Sequence, residues 1–481
     1  MAIIQTGCAP WAEAILASTK NGFLDSAYSI KVYLKAHWKE FRPGGLTRPL
    51  VSCHSPEIIQ ARSAPGEMML VSKEINTVKP FRVVMITGAY FPEISGAGLQ
   101  CRSLIGAAAD ERLCFSVITT ACNPKLPFRD LVDGVPVYRL PVSGKSLAAR
   151  ALSWIPRLAC ILLRVLPGVH LVHLHGFSRK SYLFIFLARI FRKRIIIKMS
   201  SLGEDDPESV FRSGGARAFF YRLANRYIAP SQALAESYRR SGLPAEKLFE
   251  LTNGVDTVRF SPAEESEKLA LRRALGLPED QVLVLFAGHF SEEKRPHLLA
   301  RVWSELKVEN VGLVLIGSAA PGSFEVSGRV VEEVQRLRKA GGPGALVIAG
   351  LTRRPEDYFR AADIFVLPSV REGLPNALLE AMASGLACVA VKLPGSTETL
   401  LGNRERAGGC GILFEADDRG ALGEALERLV RDRGLRQELG RMARQRVLES
   451  CSLEKVARRY RDFVFQICRR KSSSPELLSS R

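Results

Sequence analysis

The chain has 481 residues, of which 47% are hydrophobic, so it is long enough for two core-forming domains and too apolar to be largely disordered. Its 68 Lys and Arg against 49 Asp and Glu give a formal net charge of +19, which favours an anionic partner such as nucleic acid, anionic lipid or a phosphorylated substrate. The ten cysteines form no C-x-x-C pair and no apolar run reaches roughly 18 residues, which argues against a zinc ribbon, a disulfide framework and a spanning helix.

The N-terminal residues 1–79 carry turn-forming residues and little periodicity, so we expect an extension that is poorly ordered or a misassigned start. Met68 and Met69 stand just before the first strand-like run, and we hypothesise that residues 1–67 are an appended segment or an over-extended start. The first residues also lack the basic region of a secretory signal, and we expect a cytoplasmic protein.

Strand-like apolar runs alternate with longer helical stretches from Phe81 onward, which predicts βαβ units and parallel sheets. The alternation restarts after NGVDTVRFSPAEE, so we predict two doubly wound α/β domains, residues 80–260 and 261–451, with a hinge near Ser261. Ligands of such sheets lie beyond the carboxyl ends of the strands, so we expect the site in the cleft between the halves. The predicted strands include 114–120, 169–175, 194–201, 225–231, 281–288, 311–318, 345–350, 363–369 and 386–392.

Three histidines fall in the run VHLVHLH. In a strand only His173 and His175 share a face, and two residues are too few for a zinc site. We expect a structural role, or His175 lining the cleft at the end of its strand, and no metal.

Basic residues recur every seven positions in residues 145–168, at Arg150, Arg157 and Arg164. A basic amphipathic surface beside this half of the chain suits peripheral docking on anionic lipid. The alternative is a domain helix that packs its apolar side inward.

The stretch REGLPNALLEAMASG predicts a loop and a helix after the strand at 363–369. We predict Pro375 at the first helical position, where its missing N–H needs no partner, and Leu374 at the N-cap. Leucine has no side-chain oxygen for capping, so backbone N–H groups stay free beside the positive end of the helix dipole and predict a phosphate site. These N–H groups belong to Asn376, Ala377 and Leu378.

Two glutamates flank this predicted phosphate site. Glu372 in the loop can lie near the uncharged part of the ligand, and Glu380 can accept hydrogen bonds from hydroxyls, so one nucleotide sugar fits the whole arrangement. Lys294, in FAGHFSEEKRP after the first strand of this half, can offer its cation to a diphosphate. Alternatively, all three charged side chains are solvated and the apolar residues form an ordinary core stripe.

The stretch resembles the Glu-x7-Glu motif of the retaining glycosyltransferases of family 4, which have the GT-B fold of two Rossmann-like domains facing across a cleft. FAGHFSEEKRP, LTNGVDTVRFSP, AADIFVLPS and GGCGILFEADD resemble the family's other landmarks in order, and the resemblance covers roughly residues 81–468. It implies transfer of a sugar from a nucleotide sugar to a saccharide or lipid-linked saccharide, with retention and without a metal or other cofactor. It also implies a place in the biosynthesis of cell-surface polysaccharide or glycoconjugate.

The resemblance implies roles for the matching residues. Lys294 would bind the donor diphosphate, Glu372 the transferred sugar and Glu380 the ribose hydroxyls. The N–H groups after Gly373, starting with Leu374, would help to hold the phosphate. With no clear carboxylate nucleophile in view, we expect the acceptor to attack from the face that the leaving group occupies, with the departing phosphate as the base.

The acceptor half carries a matching loop and two departures from the family. Gly96 and Gly98 in FPEISGAGLQ resemble the glycine-rich loop that approaches the donor phosphates. His289 stands where the family commonly has arginine, so we expect a weaker, titratable contact to the diphosphate. Where many members have a histidine near the sugar, this chain reads MSSLGEDDPES, in which Asp205 and Asp206 either orient acceptor hydroxyls or are solvated or cap the next helix.

The resemblance also implies that a C-terminal helix, residues 452–470, returns to the N-terminal half, and we expect a disordered tail at 471–481. Three other functions remain open: a nucleotide-sugar epimerase of the same architecture, a non-catalytic nucleotide-sugar or carbohydrate-binding homologue, and a nucleic-acid binder. The last depends on charge alone, because no zinc finger or RNA-recognition motif is visible, and we expect no nucleic-acid partner.

Overall fold

A computed structural model describes residues 79–141, 158, 161–317, 328, 332, 336, 343–402 and 408–469. The chain divides into two units, Met1–His54 and Ser55–Arg481, and all described residues belong to the second. The predicted N-terminal extension, apart from Lys79, and the predicted tail lie outside the described residues. So do Arg150 and Arg157 of the basic stretch.

The first half is built on one eight-stranded sheet in the described part of the chain. Its strands are β1 (Phe81–Thr87), β2 (Leu113–Ala121), β3 (Arg129–Val132), β4 (Val135–Pro141), β5 (Leu171–His175), β6 (Arg194–Lys198), β7 (Arg226–Ala229) and β8 (Leu248–Glu250). Its helices include α1 (Gly96–Ala108), α2 (Ser181–Ile190), α3 (Pro207–Ser213), α4 (Gly215–Arg222) and α5 (Gln232–Arg240). The strand order is β3-β4-β2-β1-β5-β6-β7-β8, parallel except for β3.

Side chains of the first sheet alternate between two cores, as the twofold period of a strand requires. Val84 and Ile86 of β1 pack in one hydrophobic cluster, with helix residues such as Phe184. Val83 and Met85 pack in another on the opposite face. Helices therefore cover both faces of this sheet, which explains why its strands read as continuous apolar runs.

The second half repeats this plan with a six-stranded, fully parallel sheet in the order β11-β10-β9-β12-β13-β14. Its strands are β9 (Val282–Ala287), β10 (Val311–Ile316), β11 (Leu346–Gly350), β12 (Ile364–Leu367), β13 (Ala387–Val391) and β14 (Gly411–Phe414). The helices that follow the first half are α6 (Glu265–Leu275), α7 (Pro296–Ser304), α8 (Pro355–Ala361), α9 (Asn376–Ala383), α10 (Thr397–Leu401), α11 (Arg419–Arg431), α12 (Arg433–Ser450) and α13 (Leu453–Arg469). The predicted class, two doubly wound parallel sheets, is confirmed.

The β3–β4 hairpin is absent from the sequence-based prediction. Its turn is Asp133–Gly134, and both residues have positive φ, 50° and 77°. An Asp-Gly pair between two short strands is the usual signal for a two-residue hairpin turn. The signal was available, but the mixed charge of β3 hides its strand character.

The chain passes between the halves at two segments that pair with each other. Val255 donates its N–H to the Cys451 carbonyl and Leu453 donates to the Val255 carbonyl, each at 2.9 Å. Leu251 still packs in the first half, whereas Phe260 already packs in the second. The crossing therefore lies a few residues before the predicted hinge at Ser261, because hydrogen bonds between the two segments decide its position.

Helix α13 begins at this crossing and packs against the first half. Val456, Tyr460 and Phe463 are buried in the same cluster as Val83 of β1. Among the described residues, no helix combines the length and the apolarity needed to cross a bilayer.

The described cysteines are of two kinds, one disulfide-bonded and the others free. Cys114 of β2 is disulfide-bonded. Disulfide formation depends on the distance between two side chains in space, which sequence spacing does not reveal. Six other described cysteines are free thiols: Cys101, Cys122, Cys388, Cys410, Cys451 and Cys468.

Candidate active site

The predicted site residues follow strands at the centre of each sheet. In the first sheet the chain order reverses between β1 and β5, and in the second between β9 and β12. Such switch points open a crevice beyond the carboxyl ends of the strands. Gly96 follows β1, Lys294 follows β9 and Glu372 follows β12. The strand order therefore places each of these residues at the crevice of its own sheet.

Helix α9 begins one residue later than predicted. Pro375 has φ −76° and ψ 109°, which is extended, so it is the N-cap rather than the first helical residue, and Leu374 precedes the cap. The proline ring fixes φ but leaves ψ open, which is why the sequence did not decide between the two positions. No side chain caps the helix. The N–H groups of Asn376, Ala377 and Leu378 therefore occupy the first three helical positions, which have no intrahelical acceptor.

Lys294 and Glu372 form an ion pair beside this helix start. The Lys294 Nζ donates to Glu372 Oε1. The lysine side chain is 26% exposed and the glutamate 9%, so the pair lines the crevice with its cation on the more open side. Because β9 and β12 are neighbours in the sheet, their loops place these residues together although 78 positions separate them in sequence.

Glu380 is the fifth residue of α9, about one turn from its start, and is partly buried. Burial raises the pKa of its carboxyl from 4.5 to about 8; the nearby Arg259 opposes this rise and Glu356 adds to it. Arg259 itself donates to Glu356 at 2.7 Å. A carboxyl in this state holds its proton near neutral pH and can both donate to and accept from a hydroxyl.

His289 lies directly after Gly288 in the loop that leads to Lys294, and it is partly buried. The Ser291 N–H donates to the His289 carbonyl at 3.0 Å. The Lys294 N–H donates to the Ser291 carbonyl at 3.1 Å, so two successive turns connect His289 to Lys294.

The glycine-rich loop approaches α9 from the other half. Ser95 caps α1 by accepting from the Gly98 N–H at 3.0 Å, and a Cβ at Gly98 would overlap the Ala89 carbonyl oxygen. Only glycine fits there. A Cβ at Gly96 would meet the Asn376 side chain at 3.5 Å, which is an ordinary contact, so Gly96 matters for its position beside α9 rather than for space.

The two halves also meet at the loop before α9. A Cβ at Gly373 would overlap the Ser200 carbonyl, so glycine lets this loop lie directly against the first half. Arg371 binds Glu204 of the first half, with Nη1 and Oε1 3.2 Å apart, and also binds Glu293 of the second half. Arg371, Ser200 and Glu204 were not predicted as site residues, although Arg371 directly precedes Glu372 and could have been flagged.

The histidine pair has a structural role in the described structure. His173 and His175 are buried and their rings stack at 4.4 Å between centroids, and His173 Nδ1 lies 2.8 Å from the Tyr460 hydroxyl. Burial lowers the pKa of His173 to about 3 and also lowers that of His175. Both rings are therefore neutral. No three His, Cys, Asp or Glu side chains gather as metal ligands among the described residues.

The two aspartates accept hydrogen bonds from their own loop and from the helix that follows it. Asp205 is buried and accepts from the N–H groups of Ser200, Ser201 and Phe177 at 2.7 to 3.2 Å. Asp206 caps α3 by accepting from the Ser209 N–H at 3.2 Å. Asp206 therefore follows the helix-capping alternative, whereas Asp205 accepts from backbone N–H groups of the loops around it.

Family models match both halves of the chain. Residues 95–254 match the model described as Glycosyl transferase 4-like domain, and residues 267–446 match Glycosyl transferases group 1. Together the two matches include every predicted site residue and every strand named above except β1.

Two curated relatives are similar to this chain. It is 30% identical over 230 residues to the sulfoquinovosyl transferase SQD2 of Arabidopsis thaliana, an alignment that covers 47% of this chain and 42% of that protein. It is 32% identical over 233 residues to the D-inositol 3-phosphate glycosyltransferase of Xylanimonas cellulosilytica, covering 45% of this chain and 53% of that protein. The chain thus spans about half the length of the curated relatives it matches.

A solved structure extends the likeness to the whole fold. The structure of HepE from Anabaena in complex with UDP-glucose superimposes with a TM-score of 0.64 and 17% sequence identity, covering 80% of this chain and 99% of that one. This likeness confirms the predicted GT-B fold.

Proposed function

Because the chain belongs to the glycosyl transferases group 1 family, the family 4 glycosyltransferases, we propose that it transfers a sugar from a nucleotide sugar to a hydroxyl acceptor with retention of anomeric configuration. The observation that carries the proposal is the Lys294–Glu372 pair beside the uncapped start of α9. A cation and free N–H groups at one point suit a diphosphate, and a carboxylate beside them suits the sugar attached to it.

The donor diphosphate lies between Lys294 and the N–H groups that follow Gly373 in this proposal. Glu372 contacts the transferred sugar, Glu380 contacts the ribose hydroxyls, and His289 gives a further donor to the diphosphate. HepE was solved with UDP-glucose and the relatives named above are glycosyltransferases, which supports a nucleotide sugar as the donor. The same names do not favour the epimerase alternative.

In the reaction the bond between the anomeric carbon and the phosphate oxygen breaks, and its electron pair stays on the leaving nucleoside diphosphate. The acceptor hydroxyl oxygen forms the new bond on the same face, and its proton passes to the departing phosphate oxygen. Charge grows on the diphosphate during this step, and preorganised donors aimed at it, Lys294 and the α9 amides, lower the barrier. Because Lys294 and the α9 amides stabilise the charge on the diphosphate in this proposal, the reaction needs no bound metal.

We further propose a saccharide or lipid-linked saccharide as acceptor, within the biosynthesis of cell-surface polysaccharide or glycoconjugate. The net charge of +19 supports peripheral docking of a cytoplasmic enzyme on the anionic inner face of the plasma membrane. Exposed basic side chains of the described residues, Arg164 and Arg189, lie on the helical layer that covers one face of the first sheet.

The direct test is a screen of nucleotide sugars for thermal stabilisation and for slow hydrolysis, followed by transfer assays with the selected donor. We expect Glu372→Gln and Lys294→Ala to lower kcat by about 100-fold or more, as loss of one preorganised charge partner does. Glu424→Gln, an exposed carboxylate on α11, is the matched control and should keep full activity.

The same assay checks the metal and the stereochemistry. Activity should persist in EDTA, and NMR of the product should show the donor's anomeric configuration. Absence of binding to every nucleotide sugar, or equal turnover by wild type and Glu372→Gln, would contradict the proposed function.

A further inference from the structure

A single side-chain amide, that of Asn376, joins three segments of the chain. Asn376 is the first residue of α9, and its Nδ2 donates to the carbonyl of Gly96, the first residue of α1, at 3.2 Å. Its Oδ1 accepts from Asn253 Nδ2 at 2.8 Å, and Asn253 lies just before the crossing at Val255. The donor-side helix, the glycine-rich loop and the linker thus meet at one carboxamide.

This junction brings two helix N-termini together. The 13-residue α1 and the 8-residue α9 begin at residues that are in hydrogen-bond contact. Each N-terminus carries roughly half a positive charge, so two of them repel each other unless an anion lies between them. Ser95 caps only one N–H of α1, that of Gly98, and no side chain caps α9. The contact must therefore be held by groups that add no further positive charge.

A carboxamide meets this requirement because it donates and accepts at the same time while remaining neutral. An aspartate at 376 could accept from Asn253 but could not donate to the Gly96 carbonyl. Asn253 is 7% exposed, and its own Oδ1 is buried without a hydrogen-bond partner in the described structure. The hydrogen bonds therefore run in one direction. Asn253 of the linker donates to Asn376 of α9, and Asn376 donates to Gly96 of the glycine-rich loop.

We propose that Asn376 is a positioning residue whose side chain holds the start of α9 in register with the glycine-rich loop, so that the N–H groups of both helices face one donor diphosphate. The diphosphate comes from the proposed function, on which this inference rests. The side chain acts through Gly96 and Asn253, whereas its backbone N–H belongs to the donor site. Free nucleoside diphosphate can bind to the second half without this register, but transfer needs both halves in place.

The first test separates binding from turnover in Asn376→Ala. UDP and ADP are titrated by calorimetry, and transfer is measured with the donor found in the screen. We expect the affinity of the preferred nucleoside diphosphate to change by less than about threefold, while kcat falls about 10- to 100-fold with little change in donor KM, because small misplacement of binding groups has effects of this size. An unchanged kcat overturns the proposal.

The second test needs no turnover and uses hydrogen exchange of the ligand-free protein. Asn376→Ala should speed exchange in residues 93–101 and 248–256. Asn376→Asp, which keeps the acceptor for Asn253, should speed it in 93–101 alone. Gln445→Ala is the control. The side-chain amide of Gln445 is exposed on α12 and donates to Glu449 of the same helix at 2.6 Å.

The two tests keep this inference apart from the proposed function. A wild-type protein that binds no nucleotide and turns over no donor defeats the proposed function, while the exchange experiment still decides whether Asn376 holds the two segments together. Unchanged exchange at residues 93–101 in Asn376→Ala overturns the proposal whatever the turnover.

Discussion

At the scale of single residues, burial has changed the chemistry of a carboxyl that the sequence presents as ordinary. Glu380 lies eight positions after Glu372, yet Glu372 pairs with the ammonium of Lys294, whereas Arg259, which acts on Glu380, is itself paired with Glu356. Desolvation without a paired cation favours the protonated acid. Of the two glutamates of this motif, Glu372 is therefore held in an ion pair and Glu380 has a carboxyl whose pKa burial raises.

This difference predicts a pH dependence of stability. The pKa of Glu380 is raised from 4.5 to about 8 in the folded protein, so the folded state holds a proton that the unfolded state releases between these values. Stability from this group is fully present below about pH 4.5 and is lost as the pH rises through about 8. We expect Glu380→Gln to be more stable than wild type at pH 8 by more than about 1 kcal/mol, with the gap closing towards pH 5.

Urea denaturation at pH 5, 6.5 and 8 measures this gap, with Glu424→Gln as the control for a solvated carboxylate. A gap that does not depend on pH would show that Glu380 is ionised across the range and that its surroundings solvate it.

At the scale of elements, α13 ties the C-terminal end of the chain to the first sheet. Its buried side chains share a cluster with β1, and its Tyr460 hydroxyl bonds the ring of His173 on β5. His173 Nε2 has no hydrogen-bond partner among the described residues. The bond between Nδ1 and the Tyr460 hydroxyl is therefore the one hydrogen bond of this buried ring in the described structure. The helix thus satisfies a polar group that a strand alone would leave buried and unpaired.

Removal of this hydroxyl should destabilise the protein measurably. Tyr460→Phe leaves His173 buried with no hydrogen bond, which typically costs about 1–3 kcal/mol in the free energy of unfolding. Tyr358→Phe is the matched control. The Tyr358 hydroxyl on α8 makes no hydrogen bond in the described structure, so its removal should change stability little. Chemical denaturation compares the two. Equal effects would mean that the Tyr460–His173 bond does not stabilise α13 on the sheet.

At the scale of the whole molecule, the described halves are held in contact around the crevice. Gly373 lies against Ser200, Arg371 binds Glu204, and Asn376 bonds Gly96. The Ala233 N–H of the first half also donates to the Gly395 carbonyl of the second half at 3.0 Å. The crossing at Val255 and helix α13 join the halves through further backbone hydrogen bonds and a shared core. The halves are therefore joined by these contacts as well as by the chain crossing.

The net charge of the molecule predicts binding to anionic membranes. Flotation should recover the protein with vesicles that contain phosphatidylserine but not with pure phosphatidylcholine vesicles. The double variant Arg164→Gln with Arg189→Gln should bind roughly 30-fold more weakly, at about 1 kcal/mol for each basic residue near the surface. No flotation with anionic vesicles, or equal flotation of the double variant, would contradict docking through this helical layer.

The class of fold, the parallel sheets and the motif that carries Glu372, Glu380 and the start of α9 could all be predicted from the amino-acid sequence. These follow from local patterns: apolar runs of strand length, a proline near a helix start and a loop after each strand. Short or mixed elements such as β3 and β8 escaped because three or four residues carry too little periodicity to identify a strand.

Tertiary structure alone decided which residues meet. The ion pair between Lys294 and Glu372, the junction of Asn253, Asn376 and Gly96, and the raised pKa of Glu380 join positions far apart in sequence or depend on what surrounds one side chain. The sequence also did not show that the carboxylates of Asp205 and Asp206 accept hydrogen bonds from nearby backbone N–H groups. Contact and desolvation are properties of the packed chain, and no local pattern of residues specifies them.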